Sequence, residues 1–271
     1  MTQQSLFDAK KHRIPKKART LPLDIIYTFD NFTDPSPYMA KVSGWKIGVR
    51  SSTGDIPARL SGSVQNVERW NRQFDITFID NDYFHYDHAH HLSVVQQFKP
   101  KYCTVRDAMT PEQCAKDQIQ YYPLEQILEW AEELSQHAEN VMIIPKYLCL
   151  DKIPEKFMLG YSIPTSHGGT PLSLSMFQGR RVHLLGGSWR NQLAAIYELH
   201  DDVISMDNNH VHKIAQYAQY YLPDGETKTV RDIAPGATNP LYIALALSFG
   251  NVGAKVKELY PEQQNDSTGK S

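Results

Sequence analysis

Short apolar runs that end in polar or turn-forming residues recur along the whole chain. They lie near positions 25, 45, 74, 102, 140, 158, 181 and 203, and each has the length of a buried strand. Helical periodicity is clearest over residues 124–136, where apolar side chains share one face and glutamates occupy the others. A long helix is predicted to begin at Asn239-Pro240, because asparagine favours the N-cap and proline the first helical position.

Eight strands alternating with helical segments predict a (β/α)8 barrel of the α/β class, since eight such units need roughly 250 residues. The chain has 271 residues, of which 41% are hydrophobic, so it can bury such a core. We expect a basic arm over residues 1–22, one barrel domain over 23–260 and a polar tail over 261–271. Residues 31–44 and 147–157 show no helical pattern, which leaves a doubly wound open sheet as the alternative.

Residues 181–212 form the most informative stretch. The pattern predicts a strand over 181–185, a turn at Gly186-Gly187-Ser188, a helix over 192–200 and a strand over 203–206. That second strand delivers Asp207-Asn208-Asn209 to its carboxyl end, and a polar loop with His210 and His212 follows. Because the carboxyl ends of barrel strands carry the active residues, we take Asp207 as the centre of the candidate site.

Two further carboxylates, Asp80 and Asp107, also follow predicted strands and should meet Asp207 at the same barrel mouth. Singly, each would be an ordinary turn or helix-capping residue. Paired carboxylates suit substitution at a sugar carbon, where one attacks and the other moves a proton on the leaving group. Glycine turns at Gly168-Gly169 and Gly186-Gly187 would let backbone N–H groups approach a flat ligand closely.

Several stretches resemble the tRNA-guanine transglycosylases, and more closely their DNA-acting relatives, the deazapurine-DNA transglycosylases of phages and bacteria. FDITFID resembles the strand that carries the family's acid/base aspartate, here Asp80, and KYCTVRDAM the strand whose aspartate recognises guanine, here Asp107. VISMDNN resembles the strand with the nucleophile, here Asp207. RVHLLGGS resembles the family's seventh strand, and LGYSIPTSHGG lies where the family has a base-binding glycine pair. The resemblance covers residues 74–213.

The resemblance implies exchange of guanine in DNA for a 7-deazaguanine base, with the target base single-stranded or flipped out of the duplex. It implies no cofactor. Asp207 and Asp80 would be the catalytic pair. Base-binding positions would be Asp107, Gly168, Gly169, Gly186, Gly187, Ser188, Asn208 and Asn209.

The sequence departs from the family at three places. Asn81-Asp82-Tyr83 replaces the glycines after the acid/base aspartate, and residues 209–212 replace a proline-threonine-arginine loop. The zinc site of three cysteines and a histidine is missing. A trimmed DNA-acting form without the zinc subdomain fits these differences.

A metal-dependent barrel hydrolase is the rival interpretation. Four histidines lie within residues 85–91, beside three aspartates, and imidazole and carboxylate are ligands of zinc or iron. The candidate ligands are His85, His88 and His90. A polar loop that contacts substrate is the interpretation we prefer for this segment, and a purely structural loop is a further alternative.

Charge is uneven although the net charge is only −2. Residues 10–19 hold six cations and no acid, which favours either a solvated tail or an arm that contacts phosphates. A non-catalytic DNA-binding protein is therefore a third candidate. Three scattered cysteines and the lack of a membrane-length apolar run predict a cytoplasmic protein with no membrane partner. Predicted nucleic-acid contacts are Lys10, Lys11, Arg13, Lys16, Lys17, His210, His212 and Lys213.

Overall fold

Eight parallel strands close into a barrel in the computed structural model, which describes residues 22–29, 35–51, 74–166 and 168–261. Each strand pairs with the next along the chain, and the last pairs with the first. The predicted (β/α)8 barrel is thereby confirmed, and the open-sheet alternative is wrong. The strands are β1 (Asp24–Phe29), β2 (Lys46–Arg50), β3 (Ile76–Asp80), β4 (Tyr102–Thr104), β5 (Asn140–Ile143), β6 (Met158–Ser162), β7 (Val182–Leu185) and β8 (Val203–Asp207).

Helices cover the outside of the barrel and bury their apolar faces against the strands. None of those in the described part of the chain is long and apolar enough to cross a membrane. A small antiparallel hairpin, β9 (Gln219–Tyr221) and β10 (Thr227–Thr229), packs against the last helix. The helices are α1 (Ser36–Val42), α2 (His88–Phe98), α3 (Pro111–Asp117), α4 (Leu124–Ser135), α5 (Trp189–Leu199), α6 (His210–Ala215) and α7 (Pro240–Leu259).

Several connections differ from the sequence-based expectation. Residues 31–44 contain α1, whose early prolines occupy the first turn, where no backbone N–H is needed. Residues 147–157 carry only a 3-10 turn, Leu150–Lys152. The helix predicted over 192–200 begins three residues earlier, at Trp189, because the Ser188 hydroxyl caps it. The prediction of a polar loop after Asp207 is wrong beyond Asn209, because the helix α6 begins at His210.

The barrel interior is packed with large side chains and is therefore a solid core. Ile26, Phe78, Tyr102, Met142 and Met158 form this inner cluster and are almost completely buried. A Cβ on Gly48 would lie 2.8 Å from the Phe78 ring, so glycine is needed where β2 passes the centre. The packed floor leaves the mouth, at the carboxyl ends of the strands, as the place for chemistry.

All three cysteines, Cys103, Cys114 and Cys149, are free and buried. Burial raises the pKa of each thiol, and that of Cys149 to about 11. Such thiols stay protonated at neutral pH, so they are inert packing residues and not nucleophiles.

Candidate functional site

Three aspartates predicted to share the barrel mouth do lie together there. Asp80 ends β3, Asp207 ends β8, and Asp107 follows β4. The negative charges of Asp207 and Asp107 both raise the pKa of Asp80, which places the three carboxylates within electrostatic reach of one another. Three like charges in one mouth repel, so at least one of them is expected to hold a proton at neutral pH.

Asp80 is the carboxylate whose environment favours that proton. Burial is the largest cause of its shift and, with the charges of Asp207 and Asp107, raises its pKa to about 7. The guanidinium of Arg50, its register partner on β2, opposes the shift, as does the hydroxyl of Thr104, which donates to Asp80 Oδ1 at 2.9 Å. A pKa near 7 lets Asp80 exist in both protonation states at neutral pH, as a general acid and base requires.

Asp207 sits in a different environment, because two nitrogen atoms lie close to one of its oxygens. The backbone N–H of Gly186 donates to Oδ1 at 3.1 Å, and Nε2 of His183 lies 3.3 Å from the same oxygen. The Gln192 side chain donates to the Asp207 carbonyl at 2.6 Å, which fixes the backbone at this point. N–H donors suit an ionised carboxylate, which only accepts hydrogen bonds. The Asp207 carboxylate is therefore held in one orientation, with the Gly186 N–H as a donor to Oδ1.

Asp107 is buried beside a cation. Its Oδ2 lies 3.5 Å from Nζ of Lys146, which follows β5, and both side chains are almost fully buried. Arg106 donates to the backbone carbonyl of Tyr83, and its guanidinium lies 5.2 Å from the centre of the Tyr83 ring. The Asp107–Lys146 pair can offer an acceptor and a donor side by side, as the polar edge of a purine demands.

The two glycine turns have different roles. The Gly186 N–H is already used by Asp207, and a Cβ on Gly187 would meet Ile163 at 2.7 Å, so this turn supports the nucleophile candidate. At the other turn, Gly168 exchanges backbone hydrogen bonds with Thr165, and a Cβ on Gly169 would lie 2.5 Å from Pro164. Positive φ values at all four glycines mean that a residue with a Cβ would be strained there.

Of three other predicted base contacts, two are hydrogen-bonded within the protein and the third is exposed. Ser188 accepts from the backbone N–H of Asn191 and caps α5. Asn208 is fully buried, donates to Gln192 Oε1 at 2.7 Å and accepts from the His210 N–H, so its carboxamide joins β8 to α6. Asn209 is exposed at the start of α6.

The predicted nucleic-acid contacts after β8 lie on α6. Nδ1 of His210 bonds the Tyr221 hydroxyl at 2.7 Å, and Nδ1 of His212 bonds Ser36 at 2.8 Å, which ties α6 to the start of α1. Lys213 is exposed. The remaining predicted contacts, Lys10, Lys11, Arg13, Lys16 and Lys17, lie outside the described residues, as does nearly all of the predicted tail.

The histidine-rich segment does not assemble a metal site in the structure. His88 stacks on Trp130 and bonds Glu133 at 2.9 Å, while His85 lies 3.8 Å from Asp82. Nε2 of His90 is buried without a hydrogen-bond partner among the described residues. Across residues 22–29, 35–51, 74–166 and 168–261, no three His, Cys, Asp or Glu side chains are grouped as ligands. The rival hydrolase therefore has no ligand set in this part of the chain.

Several residues at or beneath the mouth were not predicted from the sequence. Arg50 ends β2 just as Asp80 ends β3, and the same strand-end criterion would have found it. His183 faces the interior from an otherwise apolar strand, a pattern that marks a buried polar group. Thr28 of β1 is also buried, and its hydroxyl has no hydrogen-bond partner within the described residues. Lys146 carried no signal, because a lysine after a strand is usually solvated.

The fold and the site together define the class of protein, which is a parallel eight-stranded barrel with three carboxylates at its mouth. The chain belongs to the family described as "Family of unknown function (DUF6610)", whose model matches residues 40–252. No curated protein matches the sequence. Among solved structures, the chain is similar to the YdjI aldolase from Escherichia coli K12, with 9% identity over 89% of this chain and 92% of that chain and a TM-score of 0.48.

Proposed function

We propose that the protein is a base-exchange glycosyltransferase that replaces guanine in DNA with a 7-deazaguanine, through a covalent intermediate on Asp207. The observation that carries this proposal is the contrast between two carboxylates at one mouth. Asp80 can gain and lose a proton near pH 7. One oxygen of Asp207, in contrast, accepts from the Gly186 N–H and lies 3.3 Å from Nε2 of His183. Divergent environments for paired carboxylates are the pattern expected of a proton carrier and a nucleophile.

The first half of the reaction expels guanine. Asp207 forms a bond to C1′ of the target nucleotide while the C1′–N9 bond breaks, and its electrons go to the leaving base. Protonated Asp80 gives that base its proton. Asp80 is partly accessible at the mouth, so a base bound there can reach it.

The second half inserts the new base. The incoming 7-deazaguanine gives a proton to ionised Asp80, its ring nitrogen bonds C1′, and the bond between C1′ and Asp207 breaks. Two displacements at one carbon retain its configuration. Asp107 and Lys146 would meet the polar edge of either base, which explains how one site accepts both.

DNA as the substrate rests on the resemblance and on the basic residues 10–19. A base within a duplex must leave the stack to reach a barrel mouth, so a single-stranded or flipped nucleotide is the expected form. Cations on such an arm would contact phosphates without reading sequence.

The decisive experiment compares Asp207→Asn with Asp202→Asn. Asp202 lies just before the amino end of β8, where it accepts from the Gly179 N–H, so it controls for loss of an aspartate beside the same strand. Each protein is produced with DNA and a 7-deazaguanine supply, and the nucleosides are analysed by mass spectrometry. Modified nucleoside should appear with wild type and Asp202→Asn only.

A trapping experiment tests the intermediate. Wild-type protein mixed with DNA and a guanine analogue should give a shifted band on a denaturing gel, and Asp207→Asn should not. Base exchange by Asp207→Asn at the wild-type rate would overturn the mechanism. Activity abolished by chelation and restored by added zinc or iron would instead favour the metal-dependent hydrolase.

A further inference from the structure

Buried polar side chains form a column beneath Asp207, inside the barrel. His183 of β7 and Ser205 of β8 both face the interior and are fully buried. Nε2 of His183 lies 3.3 Å from Asp207 Oδ1, and its Nδ1 lies 2.8 Å from Ser205 Oγ. Lower down, the Tyr102 hydroxyl donates to Asp24 Oδ2 at 2.8 Å, at the amino end of the barrel. A side-chain hydrogen bond between Ser205 and Tyr102 joins the two parts, so the column links the mouth to the opposite end.

Packing alone does not explain a histidine at this place. The surrounding interior is apolar, with the Phe78 ring 5.4 Å from the imidazole between ring centres. Barrel interiors are usually filled by branched aliphatic residues, and burial of polar atoms costs free energy unless every one is hydrogen-bonded. Both ring nitrogens of His183 do have partners, one on the side of Asp207 and one on the side of Ser205. The imidazole is therefore held in one orientation.

Besides an imidazolium that donates to both partners, two neutral arrangements fit these distances. In the first, the Ser205 hydroxyl donates to Nδ1, the imidazole carries its hydrogen on Nε2, and that N–H donates to Asp207. In the second, Nδ1–H donates to Ser205 and a bare Nε2 faces Asp207, which must then carry a proton itself. The Gly186 N–H also points at Oδ1. A donor already aimed at Oδ1 matches an ionised carboxylate, which can only accept, and so favours hydrogen on Nε2, as in the first arrangement or the imidazolium.

We propose that His183, in its Nε2–H form, is a positioning residue that aims Asp207 at the substrate. This inference rests on the proposed role of Asp207 as nucleophile. With Oδ1 held by His183 and Gly186, Oδ2 has no hydrogen-bond partner among the described residues and remains the atom that bonds C1′. When the bond from C1′ to Oδ2 breaks, its electrons return to the carboxylate, and the same two donors stabilise the charge that forms.

The tautomer can be tested without any enzymatic assay. Nitrogen-15 NMR of selectively labelled histidine assigns the hydrogen of His183 to Nε2 or Nδ1, with His183→Gln identifying the signal. We expect hydrogen on Nε2 at neutral pH. A bare Nε2 would overturn the inference even if base exchange is observed. The expected tautomer in a protein without base exchange would count against the proposed function and not against the orientation of Asp207.

Kinetics separate positioning from mere stability. His183→Leu removes the donor, whereas His183→Gln retains an N–H that can reach the place of Nε2. We expect kcat for base exchange to fall about 10–100-fold in His183→Leu with KM within about twofold, because one hydrogen bond to a charged group is removed. His183→Gln should recover most of kcat.

Matched serine variants provide the control. Ser205→Ala removes the partner of Nδ1. Ser248 lies on α7, outside the barrel, where its equally buried hydroxyl accepts from the Tyr221 N–H, and Ser248→Ala removes that hydroxyl. Only Ser205→Ala should lower kcat and change the nitrogen signals of His183. Equal reductions of kcat in the two alanine variants, or in His183→Leu and His183→Gln, would overturn the positioning role.

Discussion

At the scale of single residues, Asp80 shows how position changes the chemistry of a side chain. An aspartate at a strand end is ordinarily ionised and solvated at neutral pH. Here burial raises its pKa to about 7, with further contributions from Asp207 and Asp107 and an opposing one from Arg50. The strand-end position could be predicted from the sequence, but this pKa could not, because it depends on side chains from three other strands.

The raised pKa of Asp80 has a measurable consequence for stability. Between pH 4 and 7 the folded protein holds a proton that the unfolded chain has released, since the ordinary pKa is 3.8. Protonation linkage therefore makes the contribution of Asp80 less favourable as pH rises through this range. We expect the free energy of unfolding of wild type to fall from pH 4 to 7 relative to Asp80→Asn.

Chemical denaturation at several pH values would measure this difference. Asp75→Asn is the matched control, because Asp75 is exposed just before the same strand. The stability of Asp80→Asn over wild type should grow from pH 4 to pH 7 and then level off, and the control should show no such trend. Parallel curves for wild type and Asp80→Asn across the whole range would contradict the assigned pKa.

At the scale of elements, the histidine-rich segment joins two helices. The His88 ring, in the first turn of α2, stacks on Trp130 of α4 with centres 4.7 Å apart and planes 12° apart. Its Nδ1 bonds the Tyr86 hydroxyl at 3.0 Å and its Nε2 bonds Glu133 at 2.9 Å. Both ring nitrogens are thus engaged in helix packing.

We expect His88→Ala to destabilise the fold. The substitution removes a stacked ring and two hydrogen bonds, so the free energy of unfolding should fall by about 1–3 kcal/mol. Thermal or chemical unfolding measures the change, and Gln97→Ala, at an exposed position of the same helix, should change it little. A zinc-dependent rise in the melting temperature of wild type that disappears in His88→Ala would show that the segment binds metal after all.

Elements differ in how well the sequence predicts them. The strands were visible because each apolar run ends in a polar or turn residue. The helix α1 was missed because Pro35 and Pro37 suggested a loop, although proline fits the first turn of a helix. The helix α6 was missed because His210-Val211-His212 contains weak helix formers, and tertiary contacts to Tyr221 and Ser36 decide its conformation.

At the scale of the whole molecule, the mouth and the start of β1 lie at opposite ends of the barrel. The basic arm precedes β1, so the covalent chain enters at the end away from Asp207. An extended chain spans at most about 3.5 Å per residue, which gives Lys17 a reach of about 25 Å from Asp24 and Lys10 about 49 Å. Lys17 has little length to spare beyond the strands, so the outer cations are the ones that we expect to contact DNA bound at the mouth as proposed.

This geometry predicts unequal roles for the two halves of the arm. Removal of residues 1–14 should weaken DNA binding and reduce the slope of log affinity against log salt by roughly 0.9 for each phosphate that the protein no longer neutralises. Replacing Lys16 and Lys17 with glutamine should leave the slope nearly unchanged. Binding titrations at several salt concentrations measure both. Unchanged slopes in the truncated protein would identify the arm as a solvated tail.

From the sequence, closure of the barrel could be inferred only from the number of predicted strands. It depends on β8 pairing with β1, with Ile26 opposite Asp207, between segments that lie far apart in the sequence. That register brings Asp207 into the same mouth as Asp80 and places Thr28 beyond Ile26 on the adjacent strand. No local pattern contains such long-range information, whereas the three strand-end aspartates were found from local sequence alone.

Because all three thiols are buried, the native cysteines of the folded protein should not react with alkylating reagents. Modification of Cys103, Cys114 or Cys149 requires the structure to open, so the rate of labelling under native conditions reports the frequency of opening. A cysteine substituted for Phe84, which is 63% exposed on the loop after β3, would then be the one thiol of the described chain that reacts readily. A fluorophore attached there would sit at the rim of the mouth and signal the arrival of a ligand without any background from the native cysteines.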